Sequence, residues 1–393
     1  MKTFLRALPL VIIMLCATYW LPEIISKNPA DIITPKEESE SIQSDSFDYQ
    51  TTDLKPEQLP ISGLGSYIGQ KVENFTGKFG EPSRKDPTSY DEEQWIFGED
   101  ETDYIQLGVK NGVITNLFAL GSNLDVAPFK IGMSITEVFQ IASFYPTYTV
   151  ESQDEQVTLE LTERDLNYRP LIAFDNQTFA VLMMDRSTNN ITAVRYLDAA
   201  SLLQLGVYDN GSVASKNAAI KMDEAKQQAI SEANKNQVYE IVNILRQRYE
   251  LPALSQSDAL SEVAQNIFVD HEAQLSRQTE ESNSAESTSS SEPETSDSAS
   301  IETFILEDER APNQDKVDQE IQSLTSDQIE LTLQETDLKL NEVRVLYSNQ
   351  KTDMTWLVTN WFTLETERNF LMDEKMVEIG IAYRDEDILL ILH

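Results

Sequence analysis

The side chains that most often carry catalysis or bind transition metals are scarce in this chain. Its 393 residues include two histidines, His271 and the terminal His393, and a single cysteine, Cys16. Two isolated histidines leave little room for a histidine-rich metal site or a Ser-His-Asp triad. One cysteine, placed in an apolar N-terminal run, excludes an internal disulfide in the rest of the chain.

Carboxylates are abundant instead. The chain has 67 Asp and Glu residues against 30 Lys and Arg, a net charge of -37. A charge of this sign repels phosphate backbones, so a nucleic-acid partner is excluded. The acidic clusters at residues 91–93, 99–101 and 385–387 lack the alternating ligand spacing and central glycine of a calcium loop. We therefore interpret them as solvated charge.

The N-terminal residues have the layout of an export signal, because Lys2 and Arg6 precede a long apolar run. Extended over residues 4–25, this run is long enough for a helix to span the roughly 30 Å hydrocarbon core. A small-residue cleavage site is poorly defined, so we predict that residues 1–25 stay as a membrane anchor. A cleaved signal and lipidation at Cys16 are the open alternatives. Since positive residues stay in the cytoplasm, the rest of the chain is expected outside.

Two polar tracts and one polar helix separate the apolar parts of the chain. Residues 26–60 are rich in Ser, Glu, Asp and Gln, and residues 278–300 repeat Ser and Glu without Lys or Arg. Such segments cannot bury enough apolar surface to offset their loss of conformational entropy. We predict a disordered acidic tether over 26–60 and a disordered insertion over 278–300. The polar pattern over 207–235 predicts a helical spacer between domains.

Residues 61–206 contain an internal repeat, in which an Ile-Gly pair precedes a short amphipathic helix. The pairs are Ile68-Gly69 and Ile131-Gly132, and strand-like runs follow each helix. The Asn111-Gly112 turn between two of these runs is a strong hairpin signal. One helix followed by an antiparallel meander, present twice, predicts an α+β fold with a duplicated architecture.

Several motifs of this region resemble the CAP-associated N-terminal domain. They are Ile68-Gly69, Phe79-Gly80-Glu81-Pro82, the stretch from Gly108 to Gly112, the stretch from Ala127 to Ser134, and Arg169-Pro170-Leu171-Ile172. That domain is found on exported proteins of Gram-positive bacteria, usually just before a CAP domain of the cysteine-rich secretory, antigen 5 and pathogenesis-related superfamily. The resemblance implies a location and a neighbouring domain, but no activity.

Residues 236–393 are in turn similar to a CAP domain at both ends. Val238, Ile241, Val242 and Leu245 have the apolar spacing of a helix, and residues 243–249 look like the opening helices of CAP domains. Residues 361–368 occupy the family's Trp-to-His-Arg segment. Residues 375–383 match the strand that follows. The resemblance implies an α/β/α sandwich, interrupted by the insertion at 278–300.

The resemblance also locates the family's cleft, which carries two histidines and acidic partners that bind a divalent metal in some members. Ile267 and Glu367 fall at the two histidine positions, with both side chains expected to face one cleft, and Asn341 falls near the acidic position. An isoleucine can neither ligate a metal nor transfer a proton. His271, one turn after Ile267, could substitute, but we interpret it as an exposed histidine on a helix surface. We therefore predict no catalytic residue, no metal site and no cofactor.

These observations predict a cell-surface, membrane-anchored, non-enzymatic protein at the extracytoplasmic face of the membrane, which is secreted if the N-terminal segment is cleaved. Its role would be binding or scaffolding, with an envelope protein or a cell-wall component as partner. The alternative is an envelope hydrolase or a metal-dependent enzyme whose active site has moved to other residues. The sequence specifies neither the ligand nor the oligomeric state.

Overall fold

A computed structural model describes residues 55–152, 155–210, 223–284, 303–306, 324–349, 353–384 and 387–393. These residues all lie in one compact unit of the chain. The predicted anchor, the predicted tether as far as residue 54, residues 211–222 of the predicted spacer and residues 285–300 of the predicted insertion lie outside the described residues. In the described part, no helix is both long enough and apolar enough to cross a membrane.

The first lobe, residues 55–210, is built on an eight-stranded sheet in the order β1-β8-β9-β10-β5-β4-β3-β2. Neighbouring strands run antiparallel except β1 and β8, which are parallel. The strands are β1 (Gln58–Leu59), β2 (Arg84–Pro87), β3 (Glu93–Phe97), β4 (Ile105–Lys110), β5 (Val113–Ala119), β8 (Leu171–Phe174), β9 (Phe179–Asp185) and β10 (Asn190–Leu197). A separate antiparallel hairpin consists of β6 (Thr147–Ser152) and β7 (Glu155–Glu160). The helices are α1 (Val72–Phe79), α2 (Ile135–Val138), α3 (Glu163–Tyr168) and α4 (Ala199–Leu205).

The predicted repeat is visible in this topology. The first unit is α1 followed by the meander β2–β5, and the second is α2 followed by the hairpin β6–β7, α3 and the meander β8–β10. Pairing of β5 with β10 joins the two meanders edge to edge. Asn111 and Gly112 both have positive φ, 52° and 76°, as the two-residue hairpin turn between β4 and β5 requires. The predicted α+β fold is confirmed.

The second lobe, residues 223–393, is a three-layer sandwich around a five-stranded sheet in the order β11-β14-β15-β13-β12. β11 and β12 run parallel to their neighbours, and the central pairs are antiparallel. The strands are β11 (Ser255–Gln256), β12 (Thr303–Leu306), β13 (Arg344–Ser348), β14 (Glu378–Arg384) and β15 (Asp387–Leu392). The helices are α5 (Glu224–Arg248), α6 (Asp258–Ser284), α7 (Ser326–Gln334), α8 (Met354–Trp361) and α9 (Glu365–Leu371).

Both faces of the first-lobe sheet are covered, which accounts for the continuous apolar runs of its central strands. Every residue of β9 is buried, and so is every residue of β10 except Asn190. Because successive side chains of a strand point to opposite faces, strands buried throughout need a packed layer on each side. Met184 belongs to a core with α1 and α2, whereas Met183 belongs to a core that includes Val238 of α5 and Trp356 of α8. The two lobes therefore share one hydrophobic core.

Three predicted boundaries and one predicted exposure are wrong. The predicted tether ends too late, because Gln58–Leu59 forms β1, which pairs with β8, and Leu59 is buried. The predicted spacer is not separate from the second lobe, because α5 runs without a break from Glu224 to Arg248 and buries Ile230. The predicted insertion starts too early, since the backbone of residues 278–284 continues α6 as a helix. His271 is buried at 1% exposure, because it lies on the face of α6 that packs toward the sheet. Polar composition alone does not reveal which side of a long helix a neighbouring layer covers.

Candidate functional site

The sheet of the second lobe separates Ile267 from Glu367, the two residues that the resemblance puts at the family's histidine positions. Ile267 of α6 is 1% exposed and lies in a core with Val345 and Leu389. The buried residues of α9, the helix that carries Glu367, lie in the other core with Leu346 and Leu390. Adjacent residues of one strand point to opposite faces of its sheet. The expectation that Ile267 and Glu367 face one cleft is therefore wrong.

The other candidate residues do not join them. Asn341 lies in a short 3-10 helix, Leu340–Glu342, and is exposed. His271 lies in α6, on the same side of the sheet as Ile267 and away from α9. Within the residues that the structure describes, no group of three or more His, Cys, Asp or Glu side chains is arranged to hold a metal ion.

Glu367 instead lies where α8 and α9 contact the first lobe. We call this polar contact region the seam, and it comprises Arg164, Asp165, Arg169, Asp185, Arg186 and Arg195 of the first lobe with Tyr249, Asp353, Asn360, Thr363, Glu367 and Arg368 of the second. Its first link is the bidentate pair of Asp185 with Arg368, in which Nε and Nη2 of Arg368 donate at 2.7 and 2.9 Å. The Tyr249 hydroxyl also donates to Asp185, which is fully buried. An ion pair of this kind fixes the orientation of the two lobes, because breaking it leaves a charge unpaired in the interior.

A second link is made by the end of α3. Arg169 donates through Nη2 to Asp165 at 2.5 Å and through Nη1 to Asn360 of α8 at 2.9 Å. Its guanidinium also lies 4.9 Å from the centre of the Trp356 ring. Arg164 donates to the Thr363 hydroxyl at 3.0 Å. The capping box of Thr162 and Asp165 begins α3, so the same carboxylate starts the helix and orients the arginine at its end.

A third link joins the middle of β10 to the N-terminus of α8. Arg195 pairs with Asp353 at 2.6 Å and donates to the Thr355 hydroxyl at 2.7 Å. Burial opposes ionisation of Asp353, but the charge of Arg195 and the hydrogen bonds outweigh it, so the pKa of Asp353 lies below its ordinary value. The pKa of nearby Glu92 is raised, mainly by burial.

Glu367 is the unusual member of the seam. It is 1% exposed, and its Oε1 has no hydrogen-bond partner among the described residues. Burial raises the pKa of Glu367 to about 7, against the opposing effects of its own backbone N–H and of the charges of Arg164 and Arg186. The protonation state of this carboxyl group therefore changes near neutral pH, although its side chain is enclosed by both lobes.

The first lobe corresponds to a known protein family. Residues 68–208 match the family model described as CAP-associated N-terminal. The first lobe is a CAP-associated N-terminal domain. The predicted resemblance is thereby confirmed for this part of the chain, with the matched residues close to the predicted range of 61–206.

Both lobes of the chain have counterparts in solved structures. A cysteine-rich secretory protein from Staphylococcus aureus superposes with a TM-score of 0.66 at 20% identity, covering 86% of this chain and 94% of that one. An extracellular protein containing an SCP domain from Bacillus anthracis superposes with a TM-score of 0.62 at 20% identity, covering 92% of this chain and 99% of that one. These likenesses confirm the CAP-like fold of the second lobe.

A sequence relative extends the comparison. The uncharacterized membrane protein YlbC of Bacillus subtilis is 29% identical over 267 residues, which is 67% of this chain and 74% of the relative. The resemblance to this relative thus covers more of the chain than the first lobe alone.

Sequence reasoning missed the first-lobe half of the seam. Asp185 ends an apolar strand, and Arg195 interrupts one between Val194 and Tyr196. A charge inside an otherwise apolar strand is a usable signal, because buried charges are nearly always paired. That signal does not identify the partner of the charge. For Arg195 the partner is Asp353, which lies 158 positions away in the sequence.

Proposed function

We propose that this protein is a non-enzymatic component of the bacterial cell surface that binds or scaffolds another part of the envelope. Its relatives support the location: one is described as a membrane protein, one as secretory and one as extracellular. The apolar N-terminal residues 4–25, with Lys2 and Arg6 before them, support attachment to the membrane. The partner is an envelope protein or a cell-wall component.

The burial of Glu367 carries the non-enzymatic part of the proposal. The resemblance to the CAP family puts a cleft histidine at this position, but here the side chain is 1% exposed between the two lobes. The following residue, Arg368, is held by Asp185 of the first lobe. The other histidine position, Ile267, is in the core on the far side of the sheet. A substrate would have to separate the lobes before it could reach this carboxyl group.

One observation favours the alternative, an envelope hydrolase with a relocated site. A carboxyl group with a pKa of about 7 has the proton affinity that general acid–base catalysis uses at neutral pH. Catalysis would also require contact between Glu367 and a substrate. The enclosed position of the side chain argues against that contact.

Three measurements on the full chain, purified from membranes in detergent, test the proposal. We expect no stoichiometric divalent metal by mass spectrometry, no release of fragments from purified cell wall or casein, and reproducible capture of one envelope component after crosslinking in intact cells. Glu367→Gln should leave the capture unchanged. Hydrolysis that Glu367→Gln abolishes, while the exposed control Glu365→Gln retains it, would establish the enzyme alternative instead.

A further inference from the structure

Glu367 is an ionisable group at a position where the two lobes meet. Its helix α9 begins directly after the contact of Thr363 with Arg164, and its neighbour Arg368 makes the bidentate pair with Asp185. The Oε1 atom has no hydrogen-bond partner among the described residues, and the side chain is 1% exposed. A carboxylate in such a position is strongly disfavoured relative to its neutral form.

The charged groups that act on Glu367 come from the first lobe. They are Arg164 of α3 and Arg186, which follows β9. The Arg164 guanidinium donates to the Thr363 hydroxyl, and the Arg186 guanidinium lies 5.6 Å from the centre of the Tyr168 ring. Both arginines therefore act on Glu367 through their charge and not through a hydrogen bond to its side chain.

The other buried or half-buried charged side chains of α3, α9 and the end of β9 are paired with one another. On α9 itself, Arg368 binds Asp185, and the Tyr249 hydroxyl at the end of α5 shares that carboxylate. On α3, Arg169 binds Asp165. None of these pairs includes Glu367, so none of them neutralises the charge that Glu367 gains when it ionises.

We propose that Glu367 is a proton-dependent latch, which holds the two lobes together firmly when it is protonated and loosens the seam when it is ionised. The inference goes beyond the proposed function and does not depend on it. It assigns to this position a conformational role in place of the cleft chemistry that the CAP resemblance would imply.

The direction of the pH effect follows from proton linkage. With the seam closed, burial raises the pKa of Glu367 to about 7, whereas an open seam returns it to the ordinary value of about 4.3. The closed state therefore holds a proton that the open state releases. The equilibrium constant for opening the seam is smallest at a pH below the ordinary pKa of a glutamate. Above that pKa the constant increases up to about tenfold for each pH unit. The increase stops near pH 7, where the closed state also loses its proton.

Hydrogen exchange measured by mass spectrometry on the full chain in detergent, between pH 5 and 8.5, tests the latch. After correction for the intrinsic pH dependence of exchange, we expect protection in α3 and α9 to fall steeply toward pH 7 and then level off. Protection in β14 and β15, inside the second-lobe sheet, should change much less. Glu367→Gln, which mimics the protonated side chain, should abolish the steep fall.

Two further variants separate the latch from a general effect of substitution. Glu365→Gln removes a carboxylate from the exposed side of the same helix and should behave as the wild type. Arg164→Gln keeps a donor for Thr363 but removes a charge that favours ionised Glu367, so the levelling-off should move to a higher pH. If Glu367→Gln fails to fold, the proposal is tested by Arg164→Gln alone, through the pH at which the loss of protection levels off. A pH dependence that is unchanged in Glu367→Gln, or in Arg164→Gln where that variant decides, would overturn the proposal.

Discussion

Replacing Asp185 by Asn tests whether the seam contributes to stability as the structure implies. Asp185 has no exposed surface, and Arg368 is 12% exposed at the side chain. The substitution keeps the volume of the side chain but leaves the guanidinium without its counter-ion. Removing one partner of a buried pair costs about 3–5 kcal/mol. Since Asn keeps one acceptor oxygen and Arg368 keeps some contact with water, we expect a loss of about 3 kcal/mol.

Urea unfolding of the full chain at pH 7, followed by circular dichroism, measures this loss. The matched control is Asp91→Asn, because Asp91 is 82% exposed and lies 3.7 Å from Lys110. An exposed pair of that kind contributes about 0–1 kcal/mol, so the control should unfold almost as the wild type does. The m-value should be the same in both variants as in the wild type, so that a shift of the unfolding midpoint reports a change in stability.

A double-mutant cycle then isolates the pair. Arg368→Gln alone should also destabilise, because it leaves Asp185 buried without a cation. The double variant Asp185→Asn with Arg368→Gln should be less destabilised than the sum of the single variants by at least about 1 kcal/mol. Additive losses, or a loss below about 1 kcal/mol for Asp185→Asn, would refute the role assigned to this link.

Three further variants have defined outcomes. Arg246→Lys should lower stability by about 2–4 kcal/mol in urea unfolding, because the fully buried guanidinium donates to four backbone carbonyls that one ammonium cannot reach together. Gly380→Ala should cost about 1–3 kcal/mol and lower the Tm, since an added Cβ would lie 2.3 Å from a backbone carbon of α6. Ile267→His combined with Glu367→His should create no zinc site in a titration, because the sheet separates the two positions; stoichiometric zinc in this variant would contradict the assignment of the two faces.

Local features of the chain could be predicted because they depend on nearby residues. The Asn111-Gly112 turn needs two residues that tolerate positive φ, and both are adjacent in the sequence. The apolar spacing from Val238 to Leu245 requires one covered helix face, and these residues are buried in α5. The two Ile-Gly units and their meanders also depend on residues that are close in the sequence. For this reason the α+β fold of the first lobe could be predicted from the sequence.

Element boundaries were less accessible, since polar composition is ambiguous. Residues 278–284 look like part of a disordered tract, yet α6 continues through them. Residues 224–235 of the predicted spacer form the first half of α5, and Ile230 among them is buried. Helix propensity is a weak local preference, and packing against another layer decides where a long helix begins and ends.

The sequence by itself determined the resemblance of each lobe to a known fold, the repeated α+β pattern of the first lobe and the residues expected at the family's cleft positions. Only the tertiary structure decided that Ile267 and Glu367 lie on opposite sides of one sheet and that His271 is buried. It alone also decided that Arg368 finds Asp185, 183 positions away. The physical reason is that hairpins and helix faces are set by contacts within a few residues. The burial and ionisation of a side chain depend instead on whichever distant element excludes water from it.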